Sequence, residues 1–178
     1  MPKRFRIAFS FAGEKRAFVE KVAHLLPPLY HKTAILYDKF HEAEFARRDL
    51  GMYLPELYHD QSDLVVVVIC KNYQKKEWCG LEWQAIHALL KGRKDEDVML
   101  CRFDRASLRG LFDGAGVCEL DDHTPHTTVE LILQRLARNE NKPVDYYFYC
   151  LATVAVRSSM VVWRYARDGD STAPARCA

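Results

Sequence analysis

Asp63-Leu64-Val65-Val66-Val67-Val68-Ile69-Cys70 is the stretch that decides the architecture of this 178-residue chain. Its run of β-branched side chains favours an extended backbone. The missing alternation of polar and apolar positions means that both faces of the strand are covered, as in the middle of a parallel sheet flanked by helices. The rest of the chain alternates in the way such a sheet requires. Upstream, Phe5–Phe11 reads as a first strand that ends at the turn Ala12-Gly13. Glu14–Leu26 then spaces Ala17, Phe18, Val22, Leu25 and Leu26 as one helical face and stops at Pro27-Pro28. Thr33–Tyr37 reads as a second strand and Asp38–Arg47 as a charged loop. Residues 48–59 put Leu50, Leu54, Leu57 and Tyr58 on one helical face.

Downstream, Trp78–Lys91 is expected to be helical, with Leu81, Ala85 and Leu89 toward the core. Asp97–Phe103 follows as a fourth strand, Val117–Leu120 as a short fifth and Thr127–Arg138 as the closing helix. Strands and helices in strict alternation predict a doubly wound parallel sheet. Ligands of such sheets bind outside the carboxyl ends of the strands, here the loops after residues 11, 37 and 70. The domain is expected to span 1–140. Residues 141–178 break the pattern: Tyr146–Val156 and Met160–Ala166 read as a hairpin on the domain, an oligomer contact or the start of a second domain, with a disordered end.

Composition removes several function classes. Lys and Arg number 26 against 24 Asp and Glu, a formal net charge of +2, so the basic surface that nucleic-acid binding requires is missing. The longest apolar runs, Leu64–Cys70 and Tyr146–Ala152, are far shorter than the roughly 20 residues that span a bilayer. No pair of the six cysteines has C-x-x-C spacing, and no histidine cluster completes a zinc-like set. His41, His123 and His126 are expected to be surface polar residues, and Cys70, Cys101 and Cys118 to pack as small hydrophobes. These features point to a reducing cytoplasm and to no resident metal or cofactor.

The chemistry-bearing segment is Lys76-Glu77-Trp78-Cys79-Gly80-Leu81-Glu82-Trp83. Trp78 and Glu82 are one helical turn apart and share a face, on the helix that follows the central strand. A carboxylate between Leu81 and Trp83 is a candidate functional group. The same spacing also fits a solvated glutamate beside a core tryptophan. Cys79 has no histidine placed to activate it and reads as a wall residue rather than a nucleophile.

Residues 5–138 resemble a Toll/interleukin-1 receptor (TIR) domain of the bacterial type. The resemblance is carried by Phe9-Ser10-Phe11-Ala12-Gly13-Glu14-Lys15-Arg16, by Leu36-Tyr37-Asp38-Lys39-Phe40 leading into the so-called BB loop, and by Ser62–Cys70 with Asn72-Tyr73. Trp78-Cys79-Gly80-Leu81-Glu82 matches the family's W-C-x-x-E box, and Arg102-Phe103-Asp104 is similar to bacterial relatives. Glu14-Lys15 departs from the usual acidic-Arg pair, and Lys71 stands where a serine is usual.

The resemblance implies a flavodoxin-like five-stranded α/β fold and cleavage of NAD⁺ as a substrate at the nicotinamide–ribose bond, in bacterial anti-phage immunity. It assigns catalysis to Glu82 and a stacking face to Trp78, with Cys79 in the pocket wall. Phe11, Ala12 and Gly13 would shape the floor, Arg16 would meet phosphate, and Asp38, Phe40 and Glu44 would border the nicotinamide side. It further implies head-to-tail TIR–TIR assembly through the long Asp38–Arg47 loop, with charge at Glu44 and Arg47 in the contact, and a sensor or effector protein as a further partner. The alternative is a non-enzymatic TIR adaptor, from which the Trp78/Glu82 pair argues away.

Overall fold

The computed structural model describes residues 3–26, 28–46, 50–75, 83–84, 86–88, 92, 95–106 and 116–147. Five parallel strands form one sheet: β1 (Phe5–Phe11), β2 (Ile35–Leu36), β3 (Ser62–Ile69), β4 (Val98–Arg102) and β5 (Cys118–Glu119), in the spatial order β2-β1-β3-β4-β5. The expected central strand is central. β3 pairs with β1 from Ser62 opposite Phe5 to Val68 opposite Phe11, and with β4 from Val65 opposite Val98 to Ile69 opposite Arg102. Its residues 64–69 are all buried, which is the two-faced covering that the unbroken apolar run demands.

The helices are α1 (Arg16–Leu25), α2 (Glu42–Phe45), α3 (Leu50–His59) and α4 (Pro125–Asn139). Right-handed crossovers that run in opposite directions along the sheet, from β1 to β2 and from β2 to β3, place their helices on opposite faces. Accordingly α1 packs beside α4, while α3 packs against β3. Val19, Val22 and Ala23 of α1 and Val129, Ile132, Leu133 and Leu136 of α4 close one layer of the core. Leu54, Leu57 and Tyr58 of α3 join the same core cluster. α4 begins two residues before its expected start because Thr124 and Thr127 form a reciprocal capping pair and Pro125 takes the first helical position, where a missing N–H is harmless.

Three local expectations change. The Thr33–Tyr37 strand shortens to Ile35–Leu36, because this edge strand pairs only with β1 and Lys32–Ala34 tighten into a 3-10 turn. The Asp38–Arg47 loop is largely ordered, as a 3-10 turn at Asp38–Phe40 followed by α2. Tyr146 and Tyr147 are helical rather than the beginning of a strand; the remainder of the expected hairpin lies outside the described residues. Tyr147 is buried, its ring 6.0 Å from that of Tyr30 and its hydroxyl donating to Glu140 Oε2 at 2.7 Å. Arg6 links Glu140 to Asp63, so the chain up to residue 147 is tied to the domain.

No helix among the described residues is long and apolar enough to cross a membrane.

Candidate active site

The strand order changes direction between β1 and β3, so their carboxyl ends form the topological switch point of the sheet. β1 leaves the sheet at Phe11-Ala12-Gly13, and β3 leaves it at Ile69-Cys70. Directly below this edge Ser10 is fully buried, and its Oγ lies 2.5 Å from the Oη of Tyr73, also fully buried. Ser10 stands inside an apolar strand, where an unpartnered hydroxyl would cost about 1–3 kcal/mol. The hydrogen bond removes that cost and ties the Tyr73–Lys75 turn to β1. That turn is the last described segment before Trp78. The tie was not anticipated from the sequence, although a lone serine in a two-faced strand was a signal that a partner had to exist.

Arg16 opens α1 and reaches across to β2's end, where it pairs with Asp38 through two parallel hydrogen bonds of 2.8 and 2.7 Å. Both side chains are 38% exposed, so the pair orients the guanidinium more than it stabilises the fold. Hydrogen bonding to Asp38 raises the Arg16 pKa further above its ordinary value. Asp38 Oδ1 also accepts the Lys39 backbone N–H at 2.9 Å, which fixes the carboxylate. The guanidinium lies 5.2 Å from the centre of the Phe11 ring, and Phe11 stacks on Tyr37 with centroids 6.0 Å apart. Tyr37 is wholly buried, and burial pushes its phenol pKa up. Phe11, Arg16, Tyr37 and Asp38 thus form one braced cluster beside the switch point.

Ala12 is buried, while a Cβ built on Gly13 would meet nothing within 4 Å. Packing against the described residues therefore does not require the glycine. On the other flank Lys15 Nζ sits 4.1 Å from the centre of the Phe103 ring and 3.6 Å from Asp104 Oδ1. Asp104 and Arg105 adopt positive φ values of 60° and 45°, a region that bulky side chains avoid. The Asp104 backbone N–H, donating to both carboxylate oxygens of Asp121 at 3.3 and 3.2 Å, helps to hold this turn. Lys15 thereby joins the loops after β1 and β4.

Two residues expected to border the site, Glu44 and Phe40, have partners within the chain. Glu44 lies at the amino end of β1, the far end of a strand about 20 Å long. Its carboxylate takes two hydrogen bonds of 2.6 Å from Arg4 and one from the Tyr53 hydroxyl. The short α2 helix folds the chain back along the sheet and puts the glutamate within reach of these partners. Phe40 is engaged on the α1 side, its ring 5.0 Å from His24 and 5.2 Å from Tyr37, with Lys32 Nζ at 5.2 Å. His41, expected at the surface, is buried: Nε2–H donates to the Ile35 carbonyl at 2.9 Å, and its ring meets Phe5 edge-on at 5.3 Å.

The Arg4 guanidinium holds the Glu44 carboxyl down at about 2, below its ordinary value of 4.5. A depressed carboxyl contributes stability that is full above its unfolded pKa and is lost as pH falls through the folded one. Arg4 is 42% exposed, so solvent screening limits the contribution to about 1 kcal/mol. Glu44→Gln should therefore lower the melting temperature at neutral pH by a few degrees. The gap to the parent should close as pH falls from 4.5 toward 2. A gap that stays constant over that interval in an acid series would show that the ion pair contributes nothing.

Trp78, Cys79 and Glu82 lie outside the described residues. Immediately after them, residues 83–84 and 86–88 are helical and bury Trp83 and Ile86. Leu81, Ala85 and Leu89, expected to face the core, also lie outside the described side chains.

Residues 7–133 match the family model described as TIR domain. The chain is also similar to the 3' cyclic ADP-D-ribose synthase AaTIR of Aquimarina amphilecti, with 32% identity over 136 residues. That alignment takes in 76% of this chain and 41% of AaTIR, so the chain spans about two fifths of the length of that relative.

Proposed function

The chain belongs to the TIR domain family, and we propose that this member cleaves the nicotinamide–ribose bond of NAD⁺ with Glu82 as the catalytic carboxylate. The observation that carries the reading is the Trp78-Cys79-Gly80-Leu81-Glu82 motif, entered from the strand and turn on one side of the switch point. Similarity to a cyclic ADP-ribose synthase supports it.

One carboxylate suffices for this reaction. The pyridinium of NAD⁺ is already cationic and departs as neutral nicotinamide, so no general acid is needed, unlike the two-carboxylate chemistry of glycosidases. The bond breaks as positive charge develops on the ribosyl carbon. An ionised glutamate stabilises that charge and accepts hydrogen bonds from the ribose hydroxyls. Trp78 would stack on a ring of the dinucleotide, and Phe11-Ala12-Gly13 would form the floor. Arg16, already fixed by Asp38, would present the remaining N–H donors of its guanidinium to phosphate. The ribosyl centre then takes water, giving ADP-ribose, or an internal nucleophile, giving a cyclic ADP-ribose. The name of the relative favours the cyclic product. The proposed setting is bacterial immunity in a reducing cytoplasm.

The test is chromatography and mass spectrometry of the products formed from NAD⁺ by the purified chain. Nicotinamide together with ADP-ribose or its cyclic form supports the proposal. Intact NAD⁺ after incubation with folded, self-associating protein overturns it and favours the adaptor reading.

Head-to-tail TIR–TIR assembly belongs to the same proposal, and a heterologous contact of that kind builds open strands of subunits. Specific activity should rise with protein concentration, and a flat response across a wide dilution series with monomeric protein would refute it. Glu44 is a poor place to probe this contact, since charge reversal there breaks the Arg4 and Tyr53 bonds within one subunit.

A further inference from the structure

We propose that Cys101 and Cys118 form an oxidisable dithiol, which a hydroperoxide converts into a disulfide tying β5 to β4. Cys101 and Cys118 are direct register partners on these neighbouring parallel strands. Adjacent strands lie about 4.8 Å apart, inside the roughly 4.4–6.8 Å between α-carbons that a disulfide spans. Register partners project to the same face of a sheet, so the two thiols are side-chain neighbours. The two thiols sense each other: Cys118 pushes the Cys101 pKa up, and Cys101 draws the Cys118 pKa down. Both are free cysteines.

The environments of the two sulfurs differ in the way that thiol oxidation requires. Cys101 is fully buried, and the neighbouring Cys118 together with burial pushes its thiol pKa up. Cys118 is only partly buried. The neighbouring Cys101 draws the Cys118 thiol below its ordinary value, helped by the His123 imidazole and opposed by desolvation and by Glu119. The Nδ1 atom of His123 is itself buried and has no hydrogen-bond partner among the described residues. A partly exposed thiol of lowered pKa beside a buried second thiol is the arrangement of an attacking and a resolving cysteine.

The chemistry balances with hydrogen peroxide as the oxidant. The Cys118 thiolate attacks one peroxide oxygen, the O–O bond breaks, and hydroxide leaves to take up a proton, giving a sulfenic acid and water. The Cys101 sulfur then attacks the Cys118 sulfur. The S–O bond breaks, the Cys101 proton goes to the departing oxygen, and a second water leaves. Two thiols are oxidised and one peroxide is reduced to two waters. The consequence falls on a short edge of the sheet. β5 is held to β4 at only two register positions, one of them this pair and the other Arg102 with Glu119. A covalent link there closes the 101–118 loop and limits the unfolded chain.

The experiment treats the full chain with hydrogen peroxide, blocks the remaining thiols by alkylation and maps the cysteines by mass spectrometry after tryptic digestion. Arg102, Arg105 and Arg109 separate the two cysteines into different peptides, so the expected product is a 101–118 crosslink two mass units lighter than the reduced pair and reversed by dithiothreitol. The oxidised protein should melt about 5 °C or more above the reduced form. Cys118→Ser should abolish the crosslink, and Cys101→Ser should leave a sulfenic acid at 118 that dimedone traps. Recovery of both cysteines as alkylated thiols, at peroxide levels that oxidise free cysteine, overturns the proposal. So does a crosslink from Cys118 to any other cysteine. Mapping the wild-type chain separates these outcomes even where a variant fails to fold.

Discussion

Glu82→Gln should lower nicotinamide release from NAD⁺ by about 100- to 1,000-fold, the range for loss of one preorganised electrostatic partner of a transition state. The substitution keeps the shape of the side chain and its capacity to accept a hydrogen bond from ribose. It removes the charge that opposes the developing cation. The melting temperature should change little, because the proposed role lies in the cleft and not in the packing of the sheet. The measurement pairs a nicotinamide assay under saturating NAD⁺ with a thermal melt of the same preparation. Undiminished turnover in a folded variant would remove Glu82 from the mechanism. A collapse of the melt would instead make it a structural residue.

Trp78→Ala should raise the KM for NAD⁺ about 5- to 150-fold with a smaller change in kcat, since stacking of a base on an aromatic face contributes about 1–3 kcal/mol to binding. The two substitutions separate along the reaction coordinate. Stacking is present in the ground state and the transition state alike, so its loss is read in KM, whereas charge stabilisation grows as the bond breaks and is read in kcat. If the Trp78 variant melts far below the parent and its folded fraction binds NAD⁺ normally, the tryptophan belongs to the core. Gly13 offers a milder control, since a methyl group there meets nothing among the described residues. A loss of NAD⁺ affinity in Gly13→Ala with an unchanged melt would locate the ligand against that backbone.

The residues that were legible in the sequence are those whose surroundings are dictated by their neighbours in the chain. Val65–Val68 could only be a two-faced strand, and their pairing with both β1 and β4 follows from having no polar face to turn to water. The hydrophobic spacing of α1 and α4 foretold Val22, Val129, Ile132, Leu133 and Leu136 as core. Ala12-Gly13 and the loop after residue 37 followed from strand order as the edge where a ligand site belongs.

The Asp38–Arg47 segment shows where that reading ended. Its composition is that of a solvated loop, and its neighbours in the chain give Glu44 no other character. What decided its place was Arg4, 40 residues earlier in the chain, brought to the amino end of β1 by the sheet. His41 was buried by the same fold, against Phe5 and the Ile35 carbonyl. The Ser10–Tyr73 bond and the Cys101–Cys118 pair are of the same kind, each joining positions distant in the chain that only the sheet brings together. Sequence by itself determined the elements, their order and the motif proposed for catalysis, because periodicity and propensity act over a few residues. The tertiary structure decided which polar groups found partners. A buried or charged side chain is satisfied by whatever the fold carries to within about 3 Å, and sequence separation does not record that distance.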